Sequence, residues 1–181
     1  MFNFSGKQIK DITMDSFFED EIVKINLGEI KHKYVVFVFY PLDFTFVCPT
    51  ELKKISSMKE SFDDLETSVF FCSNDSVYTH KAWCNASEIS GGVGKLNFPM
   101  LSDMTNKLSG LFGVFNEEKG HVHRATIIYD TENEKIKHLS INDDLIGRSS
   151  SEIIRLIEAL QFVDTYGKIC PMDFKNNSNR K

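Results

Sequence analysis

The apolar positions along the chain form two kinds of pattern. One is a continuous apolar run, which is typical of a buried strand, and the other is a recurrence every three or four residues, which is typical of a helix. Continuous β-branched and aromatic runs at 34–40 and 68–72 predict two buried strands. Between them, apolar residues recur at near-helical spacing and predict a helix over 47–63. Later in the chain, apolar runs at 122–130 and 135–141 flank a polar turn and predict a β-hairpin.

Weaker patterns predict four shorter elements: a helix at 76–85, a loop at 90–95, a short strand at 98–101 and a helix at 106–112. A final helix is predicted from Ser149 to Val163. Ser149 and Glu152 have the spacing of a capping box, and Gly167 follows near the helix end, where a C-cap glycine belongs. This order of strands and helices predicts an α/β fold with a central mixed β-sheet flanked by helices on both faces.

The length and composition fit one domain. A chain of 181 residues with 41% hydrophobic residues can bury a full core. We expect a single domain over 1–174, in which 1–33 forms a polar N-terminal arm with a short hairpin. The polar, Asn-rich stretch at 175–181 predicts a disordered tail.

Charge and hydropathy exclude several classes of partner. The formal net charge is -5 without long basic runs, so we expect neither a nucleic-acid nor an anionic-membrane partner. No apolar stretch approaches the roughly 18–20 residues that a membrane span needs. The first part of the chain mixes Lys with Asp and Glu too freely for a presequence. We therefore expect a cytoplasmic protein, or an organellar one if a presequence has been removed.

Four cysteines lie at positions 48, 72, 84 and 170, without any Cys-x-x-Cys pair. This spacing differs from that of zinc sites and of small disulfide-rich scaffolds. The histidines do not cluster with carboxylates at metal-ligand spacing, so we expect no metal and no cofactor. The thiols are predicted to be free in a reducing compartment, with one or two of them reactive.

Cys48 is the thiol whose surroundings indicate chemistry. It follows the predicted strand at 34–40, and Pro49 suits the first turn of the helix after it. The unpaired N–H groups and the dipole at a helix N-terminus favour a thiolate, which is the reactive form. Cys72 lies inside an apolar run and Cys84 beside a tryptophan, so both are interpreted as structural residues.

A longer pattern surrounds this cysteine. The motif Pro41-x-x-x-Thr45-x-x-Cys48 resembles the active-site motif of the peroxiredoxins. The stretch 40–52 is similar in particular to the typical 2-Cys branch, which includes the alkyl hydroperoxide reductase C proteins. Further segments follow in that family's order and spacing: 75–76, 80–83, 91–94, 101–103, 124–126 and 147–148. The segment 167–171 resembles the family's resolving-cysteine segment, and together these segments cover most of the chain.

The resemblance implies a thioredoxin-like fold with peroxiredoxin insertions and a peroxidase that reduces hydrogen peroxide and organic hydroperoxides. Cys48 corresponds to the peroxidatic cysteine, whose thiolate attacks the peroxide and becomes a sulfenic acid. Cys170, in the segment 165–174, corresponds to the resolving cysteine contributed by the partner subunit. The resulting intersubunit disulfide would be reduced by thioredoxin or a similar dithiol. The resemblance also implies an antiparallel homodimer, in this branch often assembled into a decameric ring.

Further site residues are implied by the same resemblance. Arg124 corresponds to the cation beside the thiolate, and arginine suits this role because its planar fork carries a permanent charge. Thr45 would hydrogen-bond the thiolate and the peroxide, and Pro41 would shield the site from water. Glu51 and Arg148 correspond to residues that orient Arg124.

Three alternative functions stay open. A thioredoxin-like thiol–disulfide oxidoreductase shares the fold, but it usually has a Cys-x-x-Cys pair, and Glu51 occupies the second position of that pair here. A 1-Cys peroxidase takes its resolving thiol from outside the protein, and the segment Cys170-Pro171 argues against it. A holdase chaperone or scaffold role of the oligomer would need no peroxidase activity.

Overall fold

The structure is a computed structural model, and it describes residues 8–175 of the chain. Nine strands lie in this part of the chain: β1 (Thr13–Phe18), β2 (Glu21–Asn26), β3 (Tyr34–Phe39), β4 (Thr67–Ser73), β5 (Met100–Ser102), β6 (Phe115–Asn116), β7 (His121–Val122), β8 (Arg124–Asp130) and β9 (Lys135–Asn142). The same part contains five α-helices: α1 (Cys48–Ser56), α2 (Lys59–Asp64), α3 (Val77–Asn85), α4 (Lys107–Phe112) and α5 (Ser150–Tyr166). Two short 3-10 helices span Leu27–Glu29 and Glu88–Ser90.

Seven of the strands form one mixed sheet in the order β2-β1-β5-β4-β3-β8-β9. The neighbours β3, β4 and β5 run parallel to one another, whereas the other neighbouring pairs are antiparallel. β6 and β7 form a separate two-stranded hairpin. The predicted α/β fold with a central mixed sheet is therefore confirmed.

β3 lies in the middle of the sheet, and all six of its residues are buried. Because the side chains of a strand alternate between its two faces, Val36 and Val38 pack on one face and Phe37 and Phe39 on the other. Side chains of α1, α2, α3 and α5 cover the first face, and those of α4 cover the second. This two-sided burial explains the continuous apolar run, and it places the end of β3 deep between two layers.

The single helix predicted over 47–63 is wrong, because the structure contains two helices, α1 and α2, at this place. The Ser57 hydroxyl donates to the Lys54 carbonyl at 2.7 Å, and Met58 leaves the helical region with ψ of 18°. A serine that bonds to the preceding turn competes with the hydrogen bonds of the helix. Apolar residues of both helices face the same core, so the apolar spacing continues through the break.

Two hairpins differ in how closely they follow the prediction. The hairpin predicted within 1–33 is confirmed as β1 and β2, whereas residues 1–7 of that arm lie outside the described residues. The strand predicted over 122–130 begins later, at Arg124, because His121 and Val122 pair with β6 instead of with β9. The first residue of β8 is thus the predicted catalytic arginine.

The ends of α5 confirm two of the three predicted cap interactions. The Ser149 hydroxyl accepts from the Glu152 N–H at 3.3 Å, and Gly167 adopts the left-handed conformation at the C-cap with φ of 61°. The Glu152 carboxylate, however, binds Arg155 at 2.6 Å instead of closing the capping box. The tail predicted at 175–181 lies outside the described residues from residue 176 onward. No helix in the described part is both long and apolar enough to cross a membrane.

Candidate active site

Cys48 is the first residue of α1, and the structure buries it completely. The chain leaves β3 at the C-terminal edge of the parallel strands and turns into α1 within a few residues. Pro49 occupies the first turn of this helix, where the missing N–H of proline costs nothing. The predicted position of Cys48 at a helix N-terminus is therefore what the structure shows.

Arg124 holds the sulfur of Cys48 from β8. Its Nη1 and Nη2 atoms both donate to Cys48 Sγ at 3.5 Å, so the guanidinium spans the sulfur with two donors. Arg124 is itself buried, with 2% of its surface exposed. Burial lowers the pKa of Arg124, but the neighbouring Cys48 sulfur and Glu51 carboxylate outweigh burial and raise it. The guanidinium therefore stays charged beside the thiol.

Glu51 joins two arginines one helical turn after Cys48. Its carboxylate forms an ion pair with Arg124 Nη1 and accepts from Arg148 Nε at 2.9 Å and Arg148 Nη2 at 3.0 Å. The backbone N–H of Arg148 donates to the same carboxylate at 2.7 Å. Burial raises the pKa of Glu51, but the hydrogen bonds and charge of Arg148 and the charge of Arg124 lower it overall. Glu51 is therefore ionised, and the cluster contains two cations and one anion.

Arg148 also connects two strands of the sheet beneath the site. Its Nη1 atom donates to the carbonyls of Phe39 and Ala125, both at 2.8 Å. Arg124 Nη2 in turn donates to the carbonyl of Asp144 at 2.6 Å. Within residues 8–175, Arg124 Nε has no partner although it is buried. The arginine therefore keeps one unused donor at the site.

Thr45 and Pro41 lie on the segment between β3 and α1. Pro41 is buried, and Thr45 is partly exposed. The Thr45 hydroxyl donates its proton to the Leu42 carbonyl at 2.8 Å. Its oxygen lone pairs stay available to accept a hydrogen bond. The predicted hydrogen bond from Thr45 to the Cys48 thiolate is therefore not what the structure shows, because the hydroxyl donates to the Leu42 carbonyl and only its oxygen is left to accept.

Cys170 lies apart from this cluster, on the segment after α5. Its sulfur is 3.5 Å from the Ala159 carbonyl of the same helix, and the residue is partly buried. All four cysteines lie within the described residues, and none of them forms a disulfide. The structure therefore brings together Cys48, Arg124, Glu51 and Arg148, and it does not bring Cys170 to them.

The other two cysteines are poor nucleophiles. Burial raises the pKa of Cys72 well above its usual range, and it raises the pKa of Cys84 to about 12. The Cys84 thiol donates to the sulfur of Met100 at 3.5 Å. Both thiols stay protonated at neutral pH, as expected for structural residues.

A buried polar network that the sequence did not reveal fixes the segment before Cys48. The Asp43 carboxylate accepts from the Tyr40 hydroxyl at 2.8 Å and pairs with His80 Nδ1 at 2.7 Å. The Asp43 N–H donates to Asp75 at 3.0 Å. Burial raises the pKa of Asp43 although the hydrogen bonds lower it. The network connects the turn that leads to α1 with α3. Sequence patterns do not predict this contact, because Asp43 and His80 are far apart along the chain.

Catalytic cysteines are typically found at helix N-termini or beside a cation, and Cys48 has both surroundings. The AhpC/TSA family model matches residues 5–139. Thioredoxin peroxidase from Fasciola hepatica is 40% identical over 176 residues, which cover 97% of this chain and 86% of that protein.

Solved structures agree with this match. The reduced 2-Cys peroxiredoxin of Plasmodium vivax has a TM-score of 0.85 at 35% identity, covering 91% of this chain and 85% of that one. AhpC of Enterococcus faecalis has a TM-score of 0.84 at 38% identity, covering 94% of this chain and all of that one. The chain belongs to the AhpC/TSA family and is a peroxiredoxin.

Membership of this family settles the fold and the class of reaction. The thioredoxin-like fold with peroxiredoxin insertions is confirmed by the structural neighbours. The protein is a thiol-dependent peroxidase. Among the described residues, no group of three or more His, Cys, Asp or Glu side chains is arranged to hold a metal ion.

Proposed function

We propose that Cys48 is the peroxidatic residue of a peroxidase for hydrogen peroxide and organic hydroperoxides. The observation that carries this proposal is the buried sulfur with two Arg124 donors at 3.5 Å. Arg124 contacts the sulfur, and its ion-pair partner Glu51 binds Arg148, so the three side chains and a Cys48 thiolate together carry no net charge. Because an uncompensated buried charge is costly, the charge of Arg124 is what allows a negative sulfur to react inside this pocket.

The first chemical step follows from this arrangement. The thiolate of Cys48 attacks the terminal oxygen of the hydroperoxide, an S–O bond forms, and the O–O bond breaks. The sulfur becomes a sulfenic acid, and the leaving oxygen departs as hydroxide or alkoxide, which takes a proton to give water or an alcohol. Negative charge moves from the sulfur to the leaving oxygen, and preorganised donors of Arg124 can stabilise it along that path.

The other predicted site residues take supporting roles. Thr45 accepts a hydrogen bond from the hydroperoxide O–H, because the Thr45 hydroxyl already donates to the Leu42 carbonyl. Pro41 excludes water from the charged cluster, which strengthens each interaction inside it. Glu51 and Arg148 keep the guanidinium of Arg124 in place, since they bond to it and to the adjoining strands.

Cys170 resolves the sulfenic acid in this proposal, and it comes from the partner subunit of a homodimer. A disulfide needs sulfur atoms about 2.05 Å apart, so the buried Cys48 has to become accessible before Cys170 of the partner can reach it. β9 is one of the two edge strands of the sheet, and it has a neighbour on one side only within the described residues. This open edge supports antiparallel pairing with a second subunit, from which decameric rings can be built.

Thioredoxin or a similar dithiol then reduces the intersubunit disulfide and restores both thiols. The printed name of the Fasciola relative, thioredoxin peroxidase, supports this choice of reductant. The four free thiols support a reducing compartment such as the cytoplasm.

Non-reducing gel electrophoresis after one equivalent of hydrogen peroxide tests this proposal. Wild-type protein is expected to form a disulfide-linked dimer, because each subunit supplies one cysteine of the pair. The dimer band is expected to vanish in Cys48→Ser and in Cys170→Ser separately. An equimolar mixture of the two variants should recover it after subunit exchange.

The control is Cys84→Ser, which should behave as wild type because that thiol stays protonated. A monomer band in wild type with oxidised Cys48 would contradict the role of Cys170 and would favour a 1-Cys peroxidase. A dimer band that persists in Cys48→Ser would contradict the role of Cys48.

A further inference from the structure

Arg124 lies beside two loops that flank the β8–β9 pair, and the loop after β9 contacts its side chain. β8 begins at Arg124, and its partner in the register is Asn142, the last residue of β9. The β6–β7 hairpin therefore leads directly into Arg124, and the loop after β9 returns beside it. An ion pair joins these two loops, with Lys119 Nζ 2.5 Å from the Asp144 carboxylate.

The hairpin that carries Lys119 is a preorganised turn. The side-chain oxygen of Asn116 accepts from the backbone N–H groups of Glu118 and Lys119, both at 3.1 Å. Gly120 N–H donates to the Asn116 carbonyl at 2.8 Å, and Gly120 adopts a φ of 71° that favours glycine. The backbone of Lys119 is thus fixed before its side chain reaches across to Asp144.

The loop that carries Asp144 contacts the active site with its backbone. The Asp144 carbonyl accepts from Arg124 Nη2 at 2.6 Å. Asp143 closes a local turn by accepting from the N–H of Leu145 at 2.9 Å. Gly147 then passes beside the side chains of Glu51 and Val47, at 3.7 Å from where its own Cβ would lie. Among the described residues, Lys119 is the salt-bridge partner of the Asp144 side chain, and this pair links the loop to the hairpin.

We propose that Lys119 and Asp144 are positioning residues for the peroxidase reaction, because their ion pair keeps the Asp144 carbonyl on Arg124 and neutralises the carboxylate beside it. The inference rests on the proposed role of Arg124 in the reaction with peroxide. Neither residue touches Cys48, so their effect passes through the arginine fork.

Charge gives the pair a second effect besides geometry. The side chain of Asp144 is only 21% exposed. Burial raises the pKa of Asp144, but the hydrogen bond and charge of Lys119 outweigh burial and lower it, with smaller contributions from His121 and Arg124. An ionised Asp144 without its lysine would compete with the thiolate for the positive charge of Arg124. Loss of Lys119 should therefore slow the reaction more than loss of the carboxylate.

A double-mutant cycle measures this coupling. The readout is the second-order rate constant of the reduced protein with hydrogen peroxide, followed by the fluorescence of the single tryptophan, Trp83. The ring centroid of Trp83 lies 6.1 Å from that of Phe44, which belongs to the segment before Cys48. We expect Lys119→Met to lower the rate constant about fivefold and Asp144→Asn about twofold.

The double variant should be no slower than Asp144→Asn, because the unpaired carboxylate is then absent. Lys119→Arg should restore the rate to within about twofold of wild type, since it keeps the charge. Raising the salt to about 1 M should slow wild type toward Asp144→Asn by screening the ion pair. Lys24→Met is the matched control, because Lys24 forms a comparable ion pair with Asp15 at 2.8 Å on the opposite edge of the sheet.

Additive losses in the double variant, or a Lys119→Met rate equal to that of Lys24→Met, would overturn the inference. Arg124→Lys measured in parallel distinguishes a failure of the positioning role of Lys119 from a failure of the role of Arg124. If Arg124→Lys is slow and the Lys119 variants are unaffected, only the positioning inference fails. If Arg124→Lys reacts like wild type, the proposed role of the arginine fails as well.

Discussion

Replacing Cys48 with serine is expected to lower the rate of hydrogen peroxide reduction by about 10³-fold or more. A serine hydroxyl does not ionise at neutral pH, so the two donors of Arg124 would face a neutral oxygen instead of a thiolate. The sulfur is also the atom that accepts the peroxide oxygen, and serine offers no equivalent chemistry. Steady-state peroxide consumption with thioredoxin and its reductase measures the effect.

Cys84→Ser is the matched control for this experiment. It makes the same substitution at a thiol that burial keeps protonated, with a pKa of about 12. Its activity should stay close to wild type. Peroxide reduction by the Cys48→Ser variant at a rate similar to that of Cys84→Ser would show that another group carries the reaction.

Replacing Arg124 with glutamine is expected to lower the second-order rate constant for peroxide by about 10²–10³-fold, the cost of losing preorganised donors at a site of developing charge. The variant loses both contacts to the sulfur and leaves Glu51 with Arg148 alone. The remaining cluster is neutral before the thiolate forms, so a thiolate would add an uncompensated charge. Arg124→Lys should keep part of the rate, because a lysine supplies the charge without the fork.

The arginine variant needs a check on folding. Breaking a buried ion pair costs about 3–5 kcal/mol of stability, so the rate has to be compared at a temperature where the variant is folded by circular dichroism. Arg155→Gln is the control, because Arg155 pairs with Glu152 on the partly exposed face of α5. A folded Arg124→Gln protein that reacts as fast as Arg155→Gln would contradict the assigned role.

Much of the site could be predicted from sequence because its elements have strong local signals. β3 is buried on both faces, so its sequence is a continuous apolar run instead of an alternation of apolar and polar residues. Such a run can be recognised in the sequence as a buried strand. Pro49 marks the start of α1 and thereby places Cys48 at a helix N-terminus. The resemblance to peroxiredoxin motifs then supplied Arg124, Glu51 and Arg148, which the structure brings together.

Other features depend on tertiary contacts and leave no local pattern. The break between α1 and α2 rests on the Ser57 hydroxyl bonding to its own helix, while apolar spacing continues across it. The Asp43–His80 pair joins residues far apart in the chain. The carbonyl of Asp144 reaches Arg124 through its backbone, so the identity of its side chain gives no sign of the contact.

The most direct test of the central claim is to locate the sulfenic acid after a single turnover. Reduced Cys170→Ser protein, which lacks the resolving thiol, is mixed with one equivalent of hydrogen peroxide in the presence of dimedone. Peptide mass spectrometry then maps the trapped sulfenic acid. We predict the adduct on Cys48 and none on Cys72 or Cys84, whose thiols burial keeps protonated. Consumption of peroxide with the adduct on Cys84, or with no adduct on Cys48, would contradict the assignment of Cys48 as the peroxidatic residue.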